Sequence, residues 1–193
     1  EATQAWGDYL ENICTLVDSP DYNNPDQKGW YQASVEAVHA CVDTLQFESA
    51  LDPEHIVVFG FSQGASVALD AVLTYCGPCA SDGEERRLAG GISLSGWLAP
   101  RGRAALADWA QNEDLLPLPP ILLLHGDADP WVDCGCSCDA EVRLRKAGAS
   151  VQFESLSGRD HGHTWPIKIY QHILDDFLTK VFAEADEKLE NID

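Results

Sequence analysis

The pattern that most restricts the fold of this chain is a short apolar run joined to a helical segment through a glycine-containing turn. Residues 56–59 read IVVF, and residues 66–75 read SVALDAVLTY. The first run has the β-branched and aromatic composition of a strand that is buried on both faces, and we interpret the second as a helix. Between them lies GFSQG, residues 60–64. A strand, a turn and a helix in this order predict one unit of a parallel α/β sheet.

The same alternation continues on both sides of this unit. Apolar residues at spacings of three and four predict a helix over Trp30–Leu45. Further along, we expect strands at Gly91–Leu94, Ile121–Leu124 and Val151–Leu156, and helices at Arg103–Ala110, Asp139–Ala147 and Ile167–Phe182. The sequence therefore predicts an α/β protein with a mostly parallel sheet and helices on both faces.

Size and charge restrict the domain organisation and the partners. We expect residues 1–193 to form one domain, with a surface loop at Glu1–Gly29 and an acidic helix end or frayed tail at Ala183–Asp193. Thirty-two acidic residues against 12 basic ones give a net charge of −20, which repels nucleic acid and anionic lipid. No apolar run reaches the roughly 18 residues of a membrane span. Seven cysteines without the regular spacing of a secreted scaffold favour a cytoplasmic location.

The turn GFSQG has the G-x-S-x-G form of a nucleophile elbow. In such an elbow, small residues beside the serine let the strand and helix backbones approach each other, and the hydroxyl is exposed. Ser62 is therefore the candidate nucleophile. The backbone N–H of Gln63, at the helix N-terminus, is the candidate donor to an oxyanion. The alternative is that Ser62 only caps the helix and the glycines only permit the turn.

A serine hydroxyl is a poor nucleophile near neutral pH, so a base must accept its proton and a carboxylate must orient that base. The loop after Ile121–Leu124 contains Asp127 and Asp129. Asp127 is better placed to cap the turn, which leaves Asp129 as the candidate acid. Of the six histidines, only His161 and His163 lie in the loop after the last predicted strand. The chain order Ser, Asp, His is the one that α/β-hydrolases use.

Together, the stretches VVFGFSQGASVAL, GGISLSGWLAP and ILLLHGDADPWV and the histidine loop resemble one enzyme family. It is the acyl-protein thioesterase and carboxylesterase family, also described as the phospholipase–carboxylesterase group of α/β-hydrolases. The resemblance spans Leu51 to about Phe182. It implies an α/β-hydrolase fold, no cofactor, and acylated proteins, lysophospholipids or small esters as substrates. It also implies that Ser62 is the nucleophile and Asp129 the acid.

The resemblance leaves two positions open for the base. Family members commonly have G-x-G-H before a small polar residue, which His163-Thr164 matches. Counting forward from Phe153 in the predicted strand favours His161, whereas counting back from the apolar stripe of the last helix favours His163. An insertion of two residues in this loop would reconcile the two counts. We prefer His163 and keep His161 as the alternative.

Family members also carry an opening strand pair and an H-G-x-G-type loop that supplies a second oxyanion donor. Neither is found in this sequence. A fragment of a longer protein, a partner chain separated by cleavage, and a degraded family member each explain the difference. The alternative function is therefore a catalytically impaired hydrolase-fold protein that acts as a binding partner.

Two further groups of residues are candidates for a site. Trp97, Leu98 and Trp131 flank the expected nucleophile and are candidates to line an apolar acyl pocket, with ordinary packing as the alternative. The cysteines of Cys76-Gly-Pro-Cys79 and Cys134-x-Cys136-x-Cys138 suggest redox or metal chemistry instead. The first motif follows a helix rather than starting one, and the second lacks the paired spacing of a zinc module. We therefore predict no metal site.

Overall fold

The computed structural model describes residues 17, 19, 22–23, 26, 28–78, 84–111, 116–162 and 167–190, with the side chains of 188–190 left out. Its helices are α1 (Trp30–Ser49), α2 (Gln63–Thr74), α3 (Pro100–Trp109), α4 (Cys134–Lys146) and α5 (Gln171–Glu190). Its strands are β1 (Val57–Phe61), β2 (Gly77–Pro78), β3 (Glu85–Arg86), β4 (Gly90–Leu94), β5 (Ile121–Gly126) and β6 (Val151–Leu156). Short 3-10 helices precede β1 at Pro53–His55 and α5 at Ile167–Ile169. Most of the predicted loop Glu1–Gly29 lies outside the described residues.

Four of the strands form a parallel sheet in the order β1-β4-β5-β6. The two-residue strands β2 and β3 form an antiparallel ribbon in the connection between α2 and β4. Because the four strands of the main sheet run in the same direction, their carboxyl ends meet at one edge. The predicted α/β class with a mostly parallel sheet is confirmed.

Strand β5 is buried along its whole length and separates two layers of the core. Its side chains alternate between the two faces of the sheet, as the pleat requires. Ile121 and Leu123 pack with residues of α1 to α4, whereas Leu122 and Leu124 pack with residues of α5. Burying each of these side chains contributes roughly 1.5–3 kcal/mol. Helices therefore cover both faces of the sheet, as expected, and the core holds β5 between them.

Two helices have limits that differ from the prediction, because a capping residue or a buried residue determines where each helix begins or ends. The predicted start of α4 at Asp139 is wrong, because the carboxylate of Asp133 accepts a hydrogen bond from the N–H of Gly135 at 2.7 Å and caps a helix that begins at Cys134. Helix α5 continues to Glu190 and buries Ala185, so much of the acidic segment belongs to this helix. No described helix combines the length and the apolar composition of a membrane span.

Helix α2 carries a buried carboxyl group, Asp70, where it packs against α1 and α3. Neither oxygen of Asp70 has a hydrogen bond of normal geometry to another described residue. Burial raises the pKa of this carboxyl to about 8, and the Tyr31 hydroxyl, the backbone of Gly102 and the guanidinium groups of Arg101 and Arg103 only partly oppose this. The folded protein therefore favours the protonated form of Asp70.

This preference predicts how stability varies with pH. The ordinary pKa of an aspartate is about 3.9, so below pH 4 Asp70 is protonated in both the folded and the unfolded chain. Between about pH 4 and pH 8 the unfolded chain loses this proton first, and the free energy of unfolding falls by about 1.4 kcal/mol per pH unit. Replacing Asp70→Asn removes this contribution. Relative to the parent, the variant becomes more stable from pH 5 to pH 8, as measured by urea unfolding at both values.

Asp108 offers a matched control, because it is an exposed aspartate on the neighbouring helix α3. The variant Asp108→Asn should follow the parent's pH dependence. Parallel stability curves for Asp70→Asn and the parent would contradict a raised pKa at Asp70.

Candidate active site

The turn after β1 holds Ser62 in a backbone conformation that few residues other than glycine adopt, with φ of 57° and ψ of −128°. Such a conformation costs on the order of 1–3 kcal/mol and persists only where the surroundings fix it. Here the N–H of Ser62 donates to the carbonyl of Leu94 at 2.8 Å, and the carbonyl of Ser62 accepts from the N–H of Ala65 at 2.9 Å. The strained turn is thus tied to β4 and to α2.

Close backbone contact explains the glycine at the start of this turn. A Cβ atom added to Gly60 would lie 2.2 Å from the carbonyl oxygen of Gly64. Ser62 precedes the first residue of α2, yet its side chain makes no capping hydrogen bond to the helix. The alternative that Ser62 serves only as a helix cap is therefore wrong.

The hydroxyl of Ser62 belongs to a line of three hydrogen-bonded side chains. Its Oγ lies 2.9 Å from Nε2 of His161, and Nδ1 of His161 lies 2.5 Å from Oδ2 of Asp129. The ring of Phe61 packs beside the imidazole, with ring centroids 4.7 Å apart. Residues that follow β1, β5 and β6 thus meet at the carboxyl edge of the sheet.

The carboxylate of Asp129 is fully buried and receives several donors. Its Oδ1 accepts hydrogen bonds from the backbone N–H groups of Trp131 and Val132 at 2.9 and 3.0 Å. Burial alone raises the pKa of Asp129, but hydrogen bonds from His125, His161 and these two amides outweigh it and hold the pKa well below its usual range. Asp129 is therefore ionised near neutral pH.

The neighbouring aspartate has a different part in this region. Oδ1 of Asp127 accepts a hydrogen bond from the N–H of Gly158 at 2.6 Å, and the N–H of Ala128 donates to the carbonyl of Arg159 at 3.0 Å. Asp127 thus joins the loop after β5 to the loop after β6, and it is Asp129 that contacts a histidine.

The charge on Asp129 fixes the tautomer of His161. A carboxylate can only accept hydrogen bonds, so Nδ1 of His161 carries a proton. In the neutral ring Nε2 is then an acceptor, and the hydroxyl of Ser62 donates to it. This arrangement can remove the proton from Ser62 as its oxygen attacks an electrophile.

The position between Ser62 and Asp129 corrects our preference for His163. His161, the alternative, occupies this position. His163 lies outside the described residues. Only one imidazole can bridge the two groups at these distances, and the count from Phe153 in β6 pointed to the residue that does so.

The structure also corrects two of the three expected pocket residues. Leu98 and Trp97 are 0% and 4% exposed and belong to two core clusters. Buried side chains of this kind support the fold and provide no accessible pocket surface. Trp131, by contrast, is 57% exposed beside Asp129.

Two of the three cysteines of α4 lie together. Cys134 and Cys138 are one helical turn apart and share a side-chain hydrogen bond, whereas buried Cys136 lies on a different face of the helix. Burial is the largest cause that raises the pKa of the Cys134 thiol, to about 11, and the neighbouring Cys138 acts in the same direction. Cys79 of the other motif lies outside the described residues.

Gln63 and His125 also lie at this edge of the sheet. Gln63 is the first residue of α2, so its backbone N–H lies at the positive end of the helix. His125, for which the sequence suggested no part, is fully buried next to Asp129. A polar residue at the end of an otherwise apolar strand was the signal that could have identified it.

Comparison with known proteins relates this arrangement to one family. The sequence model of the phospholipase/carboxylesterase family matches residues 15–180. A probable carboxylesterase of Oryza sativa subsp. japonica is 33% identical over 141 residues, which cover 72% of this chain and 47% of that protein. Acyl-protein thioesterase 1 of Gibberella zeae is 32% identical over 116 residues, which cover 60% of this chain and 45% of that protein. The chain thus spans about half the length of these curated relatives.

Solved structures show the same fold. The crystal structure of Arabidopsis thaliana SOBER1 has a TM-score of 0.69 and 25% identity, and the similarity covers 92% of this chain and 74% of that chain. A Bacillus cereus carboxylesterase is similar in fold alone, with a TM-score of 0.59 and 20% identity over 91% of this chain and 73% of that chain. The family match extends over the turn at Ser62, the loop of Asp129 and the loop of His161. This chain belongs to the phospholipase/carboxylesterase family of α/β-hydrolases.

Proposed function

We propose that this chain is a serine hydrolase that cleaves acyl thioesters or carboxylic esters. The observation that carries the proposal is the hydrogen-bonded line from Ser62 through His161 to Asp129. Membership of the family supports the ester class, because its relatives are named carboxylesterases and acyl-protein thioesterases. The same line of side chains favours an active enzyme over an impaired protein that only binds a partner.

The reaction follows from the tautomer of His161. Nε2 of His161 accepts the hydroxyl proton as Oγ of Ser62 attacks the acyl carbonyl, and the ionised Asp129 stabilises the imidazolium that forms. The imidazolium then gives its proton to the leaving alcohol or thiol, which leaves an acyl group on Ser62. His161 then deprotonates a water molecule, which attacks the acyl carbonyl. The bond to Oγ of Ser62 breaks, the imidazolium returns the proton to Oγ, and the carboxylic acid is released.

The first amide of α2 supplies the charge stabilisation in this scheme. As the carbonyl carbon becomes tetrahedral, its oxygen gains negative charge. The N–H of Gln63 lies at the N-terminal end of a 12-residue helix, where backbone dipoles favour an anion. The strained turn places Ser62 immediately before this helix, so an acyl group attacked by its hydroxyl lies near the helix N-terminus.

The substrates that we propose are acylated proteins, lysophospholipids and small carboxylic esters. The leaving oxygen of an ester and the leaving sulfur of a thioester can each accept the proton from His161, so the three side chains accommodate both leaving groups. Assays with an oxygen ester and a thioester of the same acyl group would measure the preference. Exposed Trp131 lies in the loop that carries Asp129, residues 127–133, which we call the acid loop. It is the remaining candidate for contact with the acyl group.

Covalent labelling tests the assignment of the nucleophile. A fluorophosphonate probe should label the parent chain, because the activated Oγ of Ser62 displaces fluoride from phosphorus. Ser62→Ala should abolish both labelling and hydrolysis of a p-nitrophenyl ester, a loss on the order of 10⁴-fold or more. Mass spectrometry of the labelled peptide identifies the modified residue.

Ser150→Ala is a matched control, because Ser150 is an exposed serine before β6, at the opposite edge of the sheet. It should retain full labelling. An unlabelled parent would support the alternative function of a binding partner, and a labelled Ser62→Ala variant would assign the nucleophile elsewhere.

Single substitutions separate the two histidines of the loop. His161→Ala should lower kcat on the order of 10⁴-fold, because it removes the base while Ser62 and Gln63 remain. His163→Ala should retain most of the parent's kcat. Ester hydrolysis at pH 7.5, with folding checked by circular dichroism, measures both.

The opposite order of effects, with His163→Ala inactive and His161→Ala active, would restore our initial assignment of the base. Equal and small effects would contradict a base in this loop altogether.

A further inference from the structure

A second histidine lies behind the proposed acid. His125 is the penultimate residue of strand β5 and is 0% exposed. Both of its ring nitrogens have hydrogen-bond partners. Its Nε2 lies 2.8 Å from the carbonyl oxygen of Val132 and 3.5 Å from Oδ2 of Asp129. Its Nδ1 lies 2.6 Å from Oγ of Ser137 in α4. The proposed reaction assigns this residue no part.

The partners of His125 determine which way its hydrogen bonds run. The carbonyl of Val132 and the carboxylate of Asp129 can only accept, so Nε2 carries a proton. Nδ1 either accepts from the hydroxyl of Ser137 or donates to it, and in the second case that hydroxyl donates to the carbonyl of Gly96 at 3.2 Å. In both protonation states, His125 donates from Nε2 toward the acid loop.

The N–H of His125 binds the backbone of the acid loop. The N–H of Val132 donates to Oδ1 of Asp129, and the carbonyl of the same residue accepts from Nε2 of His125. Val132 thus links Asp129 to the buried imidazole of His125 within the same loop. Ser137 anchors that imidazole to α4, and its contact with the carbonyl of Gly96 reaches the end of β4.

The same imidazole acts on the charge of the acid. Asp129 is buried, and burial alone disfavours its ionised form. The N–H of His125 next to Oδ2 is one of the groups that counter this effect. Oδ2 also accepts the hydrogen bond from the Nδ1–H of His161, so its position and charge determine the orientation of the His161 ring.

We propose that His125 is a positioning residue that fixes the loop and carboxylate of Asp129 against β5 and α4, so that His161 stays aligned with Ser62. This inference rests on the proposed serine hydrolase mechanism. His125 acts through Asp129 and touches neither the substrate nor the reacting atoms.

Two substitutions at one position test the proposal. Glutamine places its amide nitrogen at about the reach of Nε2, whereas the amide of asparagine ends near the position of Nδ1. His125→Asn should therefore lower kcat roughly 100-fold with little change in KM, because a displacement of about 1 Å at a catalytic group costs on this order. His125→Gln should restore kcat to within about tenfold of the parent. Steady-state ester hydrolysis, at a temperature where thermal unfolding shows each variant to be folded, measures both.

His39→Asn is the matched control, because His39 is a half-buried histidine of α1 whose Nε2 lies 2.9 Å from the carbonyl oxygen of Ala71. It should lower the melting temperature without changing kcat. Ser137→Ala is the second variant if both substitutions of His125 prevent folding. Loss of its hydroxyl should lower kcat several-fold at constant KM, and an unchanged kcat would overturn the proposal.

A proton resonance separates this proposal from the hydrolase proposal. The Nδ1–H of His161 bonded to Asp129 should give a low-field NMR signal that is present in the parent and in His125→Gln and is absent or broadened in His125→Asn. If the fluorophosphonate probe does not label the parent, the proposed hydrolase function fails, and this signal still tests the positioning. A His125→Asn variant with the parent's kcat or an unchanged signal overturns the positioning role, as does a lowered kcat that glutamine does not restore.

Discussion

The candidate site depends on the parallel pairing of β5 with β4 on one side and β6 on the other. This pairing brings the carboxyl ends of the strands to one edge, where the loops that carry Asp129 and His161 approach the turn at Ser62. Strand β5 is fixed in turn because apolar side chains on its two faces fill both layers of the core. The packing of the core therefore sets the distances between side chains that lie far apart in the sequence.

Hydrogen bonds between loops, in addition to the pairing of the strands, position the residues of the candidate site. Asp127 accepts from Gly158, and Ala128 donates to Arg159, so the loops after β5 and β6 are joined before either reaches the site. The turn at Ser62 is similarly tied to the end of β4 through the carbonyl of Leu94. The strained turn at Ser62 thus lies where several elements meet and hold it.

The sequence predicts those parts of the molecule that local patterns determine. The strand over Val151–Leu156 was predicted with the limits that the structure shows, because a short run between turn-forming residues is a local signal. We preferred His163 for the position between Ser62 and Asp129, which His161 occupies, because the choice depends on the path of a loop whose shape is set by long-range hydrogen bonds. The error at Leu98 has a similar cause: a position in the loop after a strand does not reveal whether the side chain faces the site or the core. Tertiary contacts, rather than spacing along the chain, determine both.

Two buried aspartates show how the surroundings decide the state of one residue type. The side chains of Asp129 and Asp70 are both 0% exposed, and burial acts on both in the direction that favours the neutral acid. Asp129 receives N–H groups from two backbone amides and two imidazoles, which outweigh burial and keep its pKa low. Asp70 lacks hydrogen bonds of normal geometry within the described part of the chain, and its pKa rises to about 8. The fold thus maintains a buried negative charge where an imidazole must be oriented, and it holds a neutral acid where only helix packing is required.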